Sequence, residues 1–178
     1  HPSGDILPTN AISLLDGHHS EKIPAFRKGN VLLSVRELDT VCVLDLERET
    51  IVWANSSLWH RQHEPTLLEN GNMLVFDNRG SRPFSRVIEF DPATQEIHWL
   101  FQGDETNNFY SVNSGSSQRL PNGNTLITES NGARAFEVTG DMRMAWKFVS
   151  PHKVGRDFSA ASLYDVRRLS SETDLEWL

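Results

Sequence analysis

Residues 62–78, with the sequence QHEPTLLENGNMLVFDN, decide the fold of this chain. They consist of a short strand-like run, the pair Asn70-Gly71, and a second run that is rich in apolar residues. Asn-Gly between two such runs is the strongest short signal for a β-hairpin, because both central residues of the tight turn need positive φ. The stretch therefore predicts a hairpin, and it puts His63 at the start of the first strand.

This hairpin motif has near copies on both sides of it in the chain. Its anchor glycine, each time followed by asparagine, is found at Gly29, Gly71 and Gly123. The anchors lie 42 and 52 residues apart (71−29 and 123−71), near the period of roughly 40–50 residues that four-stranded propeller blades show. Each unit also ends in a tryptophan, at Trp53, Trp99 and Trp146. Aromatic residues repeated once per unit are typical of propellers.

These repeats predict an all-β chain made of β-propeller blades, each with four antiparallel strands. We expect one domain over residues 1–178, with repeats at about 7–53, 62–101 and 115–148 and a partial innermost strand at 158–169. No segment shows a sustained helical period, so almost no helix is expected. Closed propellers have about four to eight blades. About three blades therefore mean either a piece of a longer protein or a half-ring that a second copy completes to a ring of six.

Composition excludes several classes of protein. The 178 residues include 17 lysines and arginines against 24 acidic residues, a formal net charge of −7, which argues against a general nucleic-acid binder. No apolar run approaches the roughly 18 residues that cross a bilayer, so no membrane insertion is expected. Cys42 is the single cysteine and allows no intrachain disulfide. The chain begins with histidine instead of methionine, so we expect a trimmed or processed N-terminus.

In a propeller, the residues just before each innermost strand converge at one mouth of the central channel. His63 is the sharpest candidate there, because an imidazole in a channel can act as nucleophile, general base or metal ligand. The alternative is a histidine that only bonds a neighbouring backbone group. The adjacent His18 and His19 have no third ligand at a recognisable spacing, so no metal site is expected.

Arginines follow the second strands or their loops and would suit an anionic ligand. They are Arg36, Arg79, Arg82 and Arg86. Guanidinium groups pair bidentately with tetrahedral oxyanions such as sulfate or phosphate, and the last three arginines lie just past the hairpin of His63. For Arg79 and Arg82 the alternative is a solvated loop that neutralises nearby carboxylates. Gln118 and Arg119 fall on the innermost strand of the third unit, where we expect Arg119 to be either structurally paired or functional.

Two stretches carry a family resemblance. The first begins with QHEP at residue 62, continues through the hairpin motif and ends with SRV at residues 85–87; the second is GSSQRLPNGNTLITE at residues 115–129. Together they resemble the bacterial arylsulfotransferase family over nearly the whole chain. The resemblance implies a six-bladed propeller that is periplasmic or secreted. It also implies transfer of a sulfuryl group between phenols through a sulfated histidine, with no nucleotide sulfate donor and no cofactor.

The same resemblance implies roles for single residues. His63 matches the Gln-His motif of the active-site channel, Arg86 matches an arginine of that region, and Asn10 matches the asparagine of a His-x-Asn element. Pro8 stands where that element has its histidine. As an enzyme, the protein would act on an aryl sulfate and a phenol, with candidate substrate-binding residues Arg119, Arg82, Arg79, Gln62 and Gln118. The alternative, which Pro8 favours, is a catalytically inactive propeller that binds a small anion or a protein partner.

Overall fold

The fold is built of three four-stranded antiparallel sheets, each with its strands in chain order. The computed structural model describes residues 8–79, 83–154, 159–160 and 162–169. The first blade contains β1 (Thr9–Leu14), β2 (Val31–Val35), β3 (Thr40–Asp45) and β4 (Thr50–Asn55). The second contains β5 (His63–Leu67), β6 (Met73–Asp77), β7 (Arg86–Phe90) and β8 (Ile97–Gln102). The third contains β9 (Ser116–Arg119), β10 (Thr125–Glu129), β11 (Arg134–Val138) and β12 (Met144–Val149). The prediction of four-stranded antiparallel blades is confirmed.

The remaining regular elements are short. They are 3-10 turns at Pro24–Phe26 and Arg36–Leu38, and a small antiparallel pair of β13 (Lys153–Val154) and β14 (Ser159–Ala160). Over the described ranges there is no α-helix, as expected from a sequence without a sustained helical period. No helix within these ranges has the length and apolar character needed to cross a membrane.

The hairpin turns differ in type from the prediction. In the second blade the amide of Gly71 donates to the carbonyl of Leu68, and the amide of Leu68 donates to the carbonyl of Asn72. Gly71 has a φ of +81°, but Asn70 is not in the positive-φ region. Asn70 instead accepts a hydrogen bond from the Asn72 amide on its side-chain oxygen, 3.0 Å away. The prediction of a positive φ at the glycine is therefore confirmed. The prediction of a second positive φ, at Asn70, is wrong, because the side chain of Asn70 closes the turn instead.

Two apolar cores lie between neighbouring blades. Successive strand residues point to opposite faces of a sheet, so Met73 and Val75 of β6 pack toward the first blade, while Leu74 and Phe76 pack toward the third. All five residues of β6 are buried. This explains why β6 is apolar from Met73 to Phe76, because neither face of this strand is in contact with solvent.

The repeated tryptophans connect each blade to the next. Trp53 on β4 donates its indole N–H to the carbonyl of Pro92, 3.2 Å away, in the turn between the third and fourth strands of the second blade. Trp99 on β8 makes the same bond to the carbonyl of Gly140, 3.1 Å away, in the third blade. Trp146 occupies the equivalent place on β12, where 43% of its surface is exposed. The third blade therefore presents a face built like the two that are covered.

Residues 162–169 pack along this face of the third blade. The amide of Val166 donates to the Thr128 hydroxyl at 3.0 Å, and the amide of Arg168 donates to the Gln118 side chain at 2.9 Å. Arg168 also forms an ion pair with Glu137, 2.9 Å away. The segment thus lies beside β9, where the innermost strand of a following blade would lie. It falls within the partial strand expected at 158–169, of which residues 158 and 161 are outside the described ranges.

Candidate functional site

A groove of about 570 Å³ opens where the three innermost strands begin. It is lined by Asn10 from β1, by His63 and Glu64 from β5, and by Ser116 at the start of β9. Tyr164 and Asp165 of the 162–169 segment complete the wall. The structure therefore brings together two of the residues that the sequence selected, His63 and Asn10, from positions more than fifty residues apart.

Gln62 anchors the chain just before His63. Its side chain is fully buried and points into the first blade, where the amide nitrogen donates to the Ser34 hydroxyl at 3.0 Å and to the Thr40 carbonyl at 2.9 Å. Its backbone carbonyl accepts a hydrogen bond from Asn10 at 2.8 Å. Gln62 does not line the groove, so its contacts hold the start of β5 in place.

A β-bulge turns the first residues of β5. His63 pairs with Phe76 and Thr66 with Leu74, so Glu64 and Pro65 together oppose one residue of β6. Glu64 has a φ of +47°, which is uncommon for a residue with a side chain. Bulges of this kind re-aim side chains and are frequent next to functional sites, and Pro65, which has no N–H, is tolerated there.

The imidazole of His63 is anchored through one ring nitrogen. Its Nδ1 lies 2.7 Å from Oδ1 of Asn78 and 3.1 Å from the carbonyl oxygen of Arg61. A backbone carbonyl only accepts hydrogen bonds, so Nδ1 carries the proton. Nε2 then keeps its lone pair, and no hydrogen bond to Nε2 is seen among the described residues. The alternative expectation, a histidine that only bonds a neighbouring backbone group, therefore accounts for the contacts of Nδ1 but not for the free Nε2.

Burial lowers the pKa of His63 below its ordinary value. The hydrogen bonds to Asn78 and to the Arg61 carbonyl act in the opposite direction, and the positive charge of Arg36 lowers the pKa further. The imidazole is consequently neutral at pH 7, and a neutral imidazole with a free lone pair is the form that acts as nucleophile or base.

Arg36 is the arginine whose charge reaches His63. It follows β2 seven residues after the anchor glycine (36−29), the position that Asn78 (78−71) and Ser130 (130−123) hold in the other blades. Its guanidinium donates to the side-chain oxygen of Asn113 at 3.2 Å and pairs with Glu37. Its buried Nε has no hydrogen-bond partner among the described residues. The sequence analysis named Arg36 with the other second-strand arginines but not as a candidate site residue. Its spacing of seven residues from the anchor glycine is the signal that could have identified it.

The other selected arginines are held elsewhere. Arg86 on β7 donates from Nε to the buried Asp77 carboxylate at 2.6 Å and from Nη2 to the carbonyl of Leu58 at 2.5 Å. Arg79 donates to the side chain of Gln102 at 2.7 Å. Neither residue lines the groove, and Arg82 lies outside the described residues. A catalytic role for Arg86 therefore stays a prediction from the resemblance.

Gln118 and Arg119 border a second cavity, of about 670 Å³, beyond the loop that closes β5 and β6. Arg119 pairs with Glu89 at 2.6 Å and lies over the ring of Trp99 at 5.3 Å. The amide group of Gln118 bonds the backbone of Arg168 at both of its ends. Of the two roles expected for Arg119, the contacts are those of a structural pair between blades.

Asn10 lines the groove and has one side-chain polar atom without a hydrogen-bond partner among the described residues. Its Nδ2 is used by the Gln62 carbonyl, whereas its Oδ1 is buried and has no partner among the described residues. Pro8, at the place of the family histidine, contributes only its carbonyl, which accepts the amide of Arg36 at 3.3 Å. Over the described part of the chain, no group of three or more His, Cys, Asp or Glu side chains is arranged to hold a metal ion.

Comparisons with known proteins point to one family and one fold. A family model described as arylsulfotransferase (ASST) matches residues 8–151. No curated protein matches the chain. The WD40 β-propeller domain of Doa1 is 12% identical over 80% of this chain and 41% of that chain, with a TM-score of 0.56.

Two further solved structures give the same result. The β-propeller domain of Cps50 (Swd1) from Myceliophteria thermophila is 14% identical, over 83% of this chain and 45% of that chain, with a TM-score of 0.53. Virginiamycin B lyase from Staphylococcus aureus is 15% identical, over 88% and 48%, with a TM-score of 0.50. At such identities the likeness shows the β-propeller fold alone, and this chain spans less than half the length of each structure.

Proposed function

We propose that this chain, which belongs to the arylsulfotransferase (ASST) family, transfers a sulfuryl group from an aryl sulfate to a phenol through a covalent intermediate on His63. The observation that carries the proposal is the state of the imidazole: Nδ1 is bonded to two acceptors, while Nε2 has its lone pair free beside a groove of about 570 Å³. Neither the intermediate nor the substrate pair follows from family membership.

The transfer runs in two displacements. Nε2 of His63 attacks the sulfur of the aryl sulfate, the bond from sulfur to the ester oxygen breaks, and a phenolate leaves. The oxygen of a second phenol, having lost its proton to solvent, then attacks the same sulfur and releases the neutral imidazole. The sulfuryl group moves from oxygen to nitrogen to oxygen, with no change in oxidation state. Ping-pong kinetics are the expected signature.

Arg36 is not among the residues that line the groove, but its positive charge is suited to stabilise the sulfuryl oxygens of a group held on His63. Its Nε is buried and has no partner among the described residues, and its charge already acts on His63. A donor prepared in advance for a developing anion lowers the barrier more than one that must reorganise. The exposed ring of Tyr164 at the rim of the groove offers an aromatic surface for the aryl group.

The family also supports the expected location and partners. Arylsulfotransferases of this kind are generally exported, and we infer a periplasmic or secreted protein that acts on small phenolic compounds. A second copy of the chain that completes the ring of blades belongs to the same proposal.

The test is turnover of 4-nitrophenyl sulfate with a phenol acceptor, combined with mass spectrometry of the protein after donor alone. We expect release of nitrophenol and a mass increase of one sulfuryl group on a peptide that contains His63. His63→Ala should abolish both. The matched control is His60→Ala, because His60 lies three residues earlier and is exposed against Asp39. Labelling of any other residue, or turnover that survives in His63→Ala, would refute the proposal.

A binding module for a small anion is the second candidate. Pro8, in the place of the family histidine, is the observation that favours it, because an incomplete set of channel histidines would leave binding without turnover. Calorimetry with inorganic sulfate separates the two functions. Binding that is lost in Arg36→Ala, together with no turnover and no labelled histidine, would favour the binding module.

A further inference from the structure

Asn78 contacts the imidazole of His63 from a fully buried position directly after β6. Its Oδ1 lies 2.7 Å from Nδ1 of His63. Its Nδ2 donates to the carbonyls of Ser111 and Ser114, at 2.5 and 3.0 Å. Both protons of the amide group are therefore used within the loop that leads to β9.

These contacts leave the amide of Asn78 one orientation. Backbone carbonyls only accept hydrogen bonds, so the NH2 group has to face Ser111 and Ser114, and the oxygen has to face His63. An amide oxygen also only accepts, so the proton between it and the imidazole belongs to Nδ1. Turning the amide over would bring its oxygen against two carbonyl oxygens and leave buried donors and acceptors unpaired.

We propose that Asn78 is a positioning residue, which holds His63 in the Nδ1-protonated tautomer and directs the lone pair of Nε2 into the groove. The proposal deepens the proposed function and rests on it, since the value of this tautomer is that Nε2 attacks sulfur. Asn78 does not contact the substrate in this scheme; it acts through the imidazole.

The loop on the far side of Asn78 is itself fixed to the third blade. Oδ1 of Asn131 accepts hydrogen bonds from the hydroxyl of Ser111 and from the amides of Val112 and Asn113, at 3.0, 2.9 and 3.2 Å. Gly115 follows the loop with a φ of +153°. Asn78 therefore links the nucleophile of the second blade to a segment that the third blade holds rigidly.

Asn131 also supplies a matched control. It holds the same loop as Asn78 but has no hydrogen bond to His63. A purely structural effect of loosening the loop should appear in Asn131→Ala as well as in an Asn78 variant, whereas loss of the tautomer should appear only in the latter.

The test reads the tautomer without substrate. Long-range proton–nitrogen correlation spectra of histidine-labelled protein, recorded well above the histidine pKa, show which ring nitrogen of His63 carries the proton, and His63→Ala assigns the signal. In Asn78→Ser, which introduces the residue that the third blade has as Ser130, only the Arg61 carbonyl at 3.1 Å remains as acceptor. We expect a mixture of both tautomers and a roughly tenfold lower kcat.

A second variant keeps the test decisive if Asn78→Ser does not fold. Asn78→Asp retains an acceptor against Nδ1. Its second oxygen faces the carbonyls of Ser111 and Ser114 and can donate there only as a protonated carboxyl, so no charge is added and the Nδ1-protonated tautomer should persist. Glu64 and Asp165 are the charged groups that line the groove with His63. Arg36 acts on His63 through its charge and Arg167 pairs with Glu64, and none of these groups is changed. A mixture of both tautomers in Asn78→Asp would overturn the proposal.

The outcomes separate this proposal from the proposed function. If Asn78→Ser keeps the wild-type tautomer and kcat, or if Asn131→Ala shifts the tautomer as far, Asn78 is not the positioning residue, although sulfuryl transfer stands. If the tautomer changes as expected but wild-type protein forms no sulfated histidine, the positioning is supported and the proposed reaction fails.

Discussion

Replacing Gly115 by alanine should destabilise the protein at the point where the second and third blades meet. A Cβ at this position would lie 2.3 Å from the ring of Phe76, which is fully buried in the core between those blades. The φ of +153° is rarely adopted by residues with a side chain, and such strain costs about 1–3 kcal/mol. Overpacking of a closed core adds about 1–3 kcal/mol, so we expect a loss of roughly 2–6 kcal/mol in the free energy of unfolding.

Gly123→Ala isolates the steric part of this loss. Gly123 has a φ of +83°, and a Cβ there would meet nothing within 4 Å, so only backbone strain of about 1–2 kcal/mol is expected. Urea unfolding followed by tryptophan fluorescence measures both variants. If Gly115→Ala costs no more than Gly123→Ala, the close approach to Phe76 does not limit this position, and our account of the blade junction is wrong.

Four further outcomes are expected. Trp99→Phe, which removes the N–H bond to Gly140, should cost about 1 kcal/mol in urea unfolding, whereas Trp146→Phe should cost much less, because Trp146 is partly exposed. Arg86→Ala, which leaves a buried carboxylate unpaired, should cost about 3–5 kcal/mol by the same assay; a stable variant with lost turnover would instead give Arg86 the role that the resemblance implies. The acid limb of the pH profile of kcat/KM should lie below about pH 6.5, the ordinary pKa of histidine. The pKa of His63 is lowered in the folded protein, so the imidazole stays neutral until the pH falls through that lowered pKa. An acid limb above pH ~6.5 would contradict the assignment of His63 as the nucleophile. Light scattering should give twice the chain mass if a second copy completes the ring, and the mass of one chain would contradict that prediction.

The fold could be predicted from sequence because its signals are local. Gly-Asn pairs that recur along the chain, and a tryptophan at the end of each unit, depend only on residues close together in the chain. The turn type was the part that failed, because Asn70 closes the turn with its side chain and so needs no positive φ of its own. A propensity for Asn-Gly does not distinguish these two ways of closing a hairpin.

The site was harder to predict because it depends on which face of a strand each residue occupies. Arg36 and Arg86 are both arginines at the end of a strand or just beyond it. Arg36 follows β2 and acts on His63, whereas Arg86 begins β7 and pairs with Asp77. Gln62 precedes His63 directly but points into the first blade. Sequence neighbours on a strand face opposite ways, and the bulge at Glu64 changes that alternation just where the groove begins.

The third strand of each blade has one residue that contacts the next blade or segment along the chain. This residue is Val43 in the first blade, Glu89 in the second and Glu137 in the third. Val43 of the first blade is fully buried in the cluster that Leu67 of the second blade packs against, whereas Glu89 of the second pairs with Arg119 of the third.

The third blade resembles the second in having an acidic residue at this position. Glu137 occupies the place of Glu89 and pairs with Arg168, which therefore repeats the contact that Arg119 makes. The 162–169 segment forms no hydrogen-bonded ladder with β9 of the kind seen within a blade. The Arg168–Glu137 ion pair acts together with hydrogen bonds from the backbone amides of Leu163 and Val166 to hold the segment, and Tyr164 and Asp165 then lie at the groove of His63.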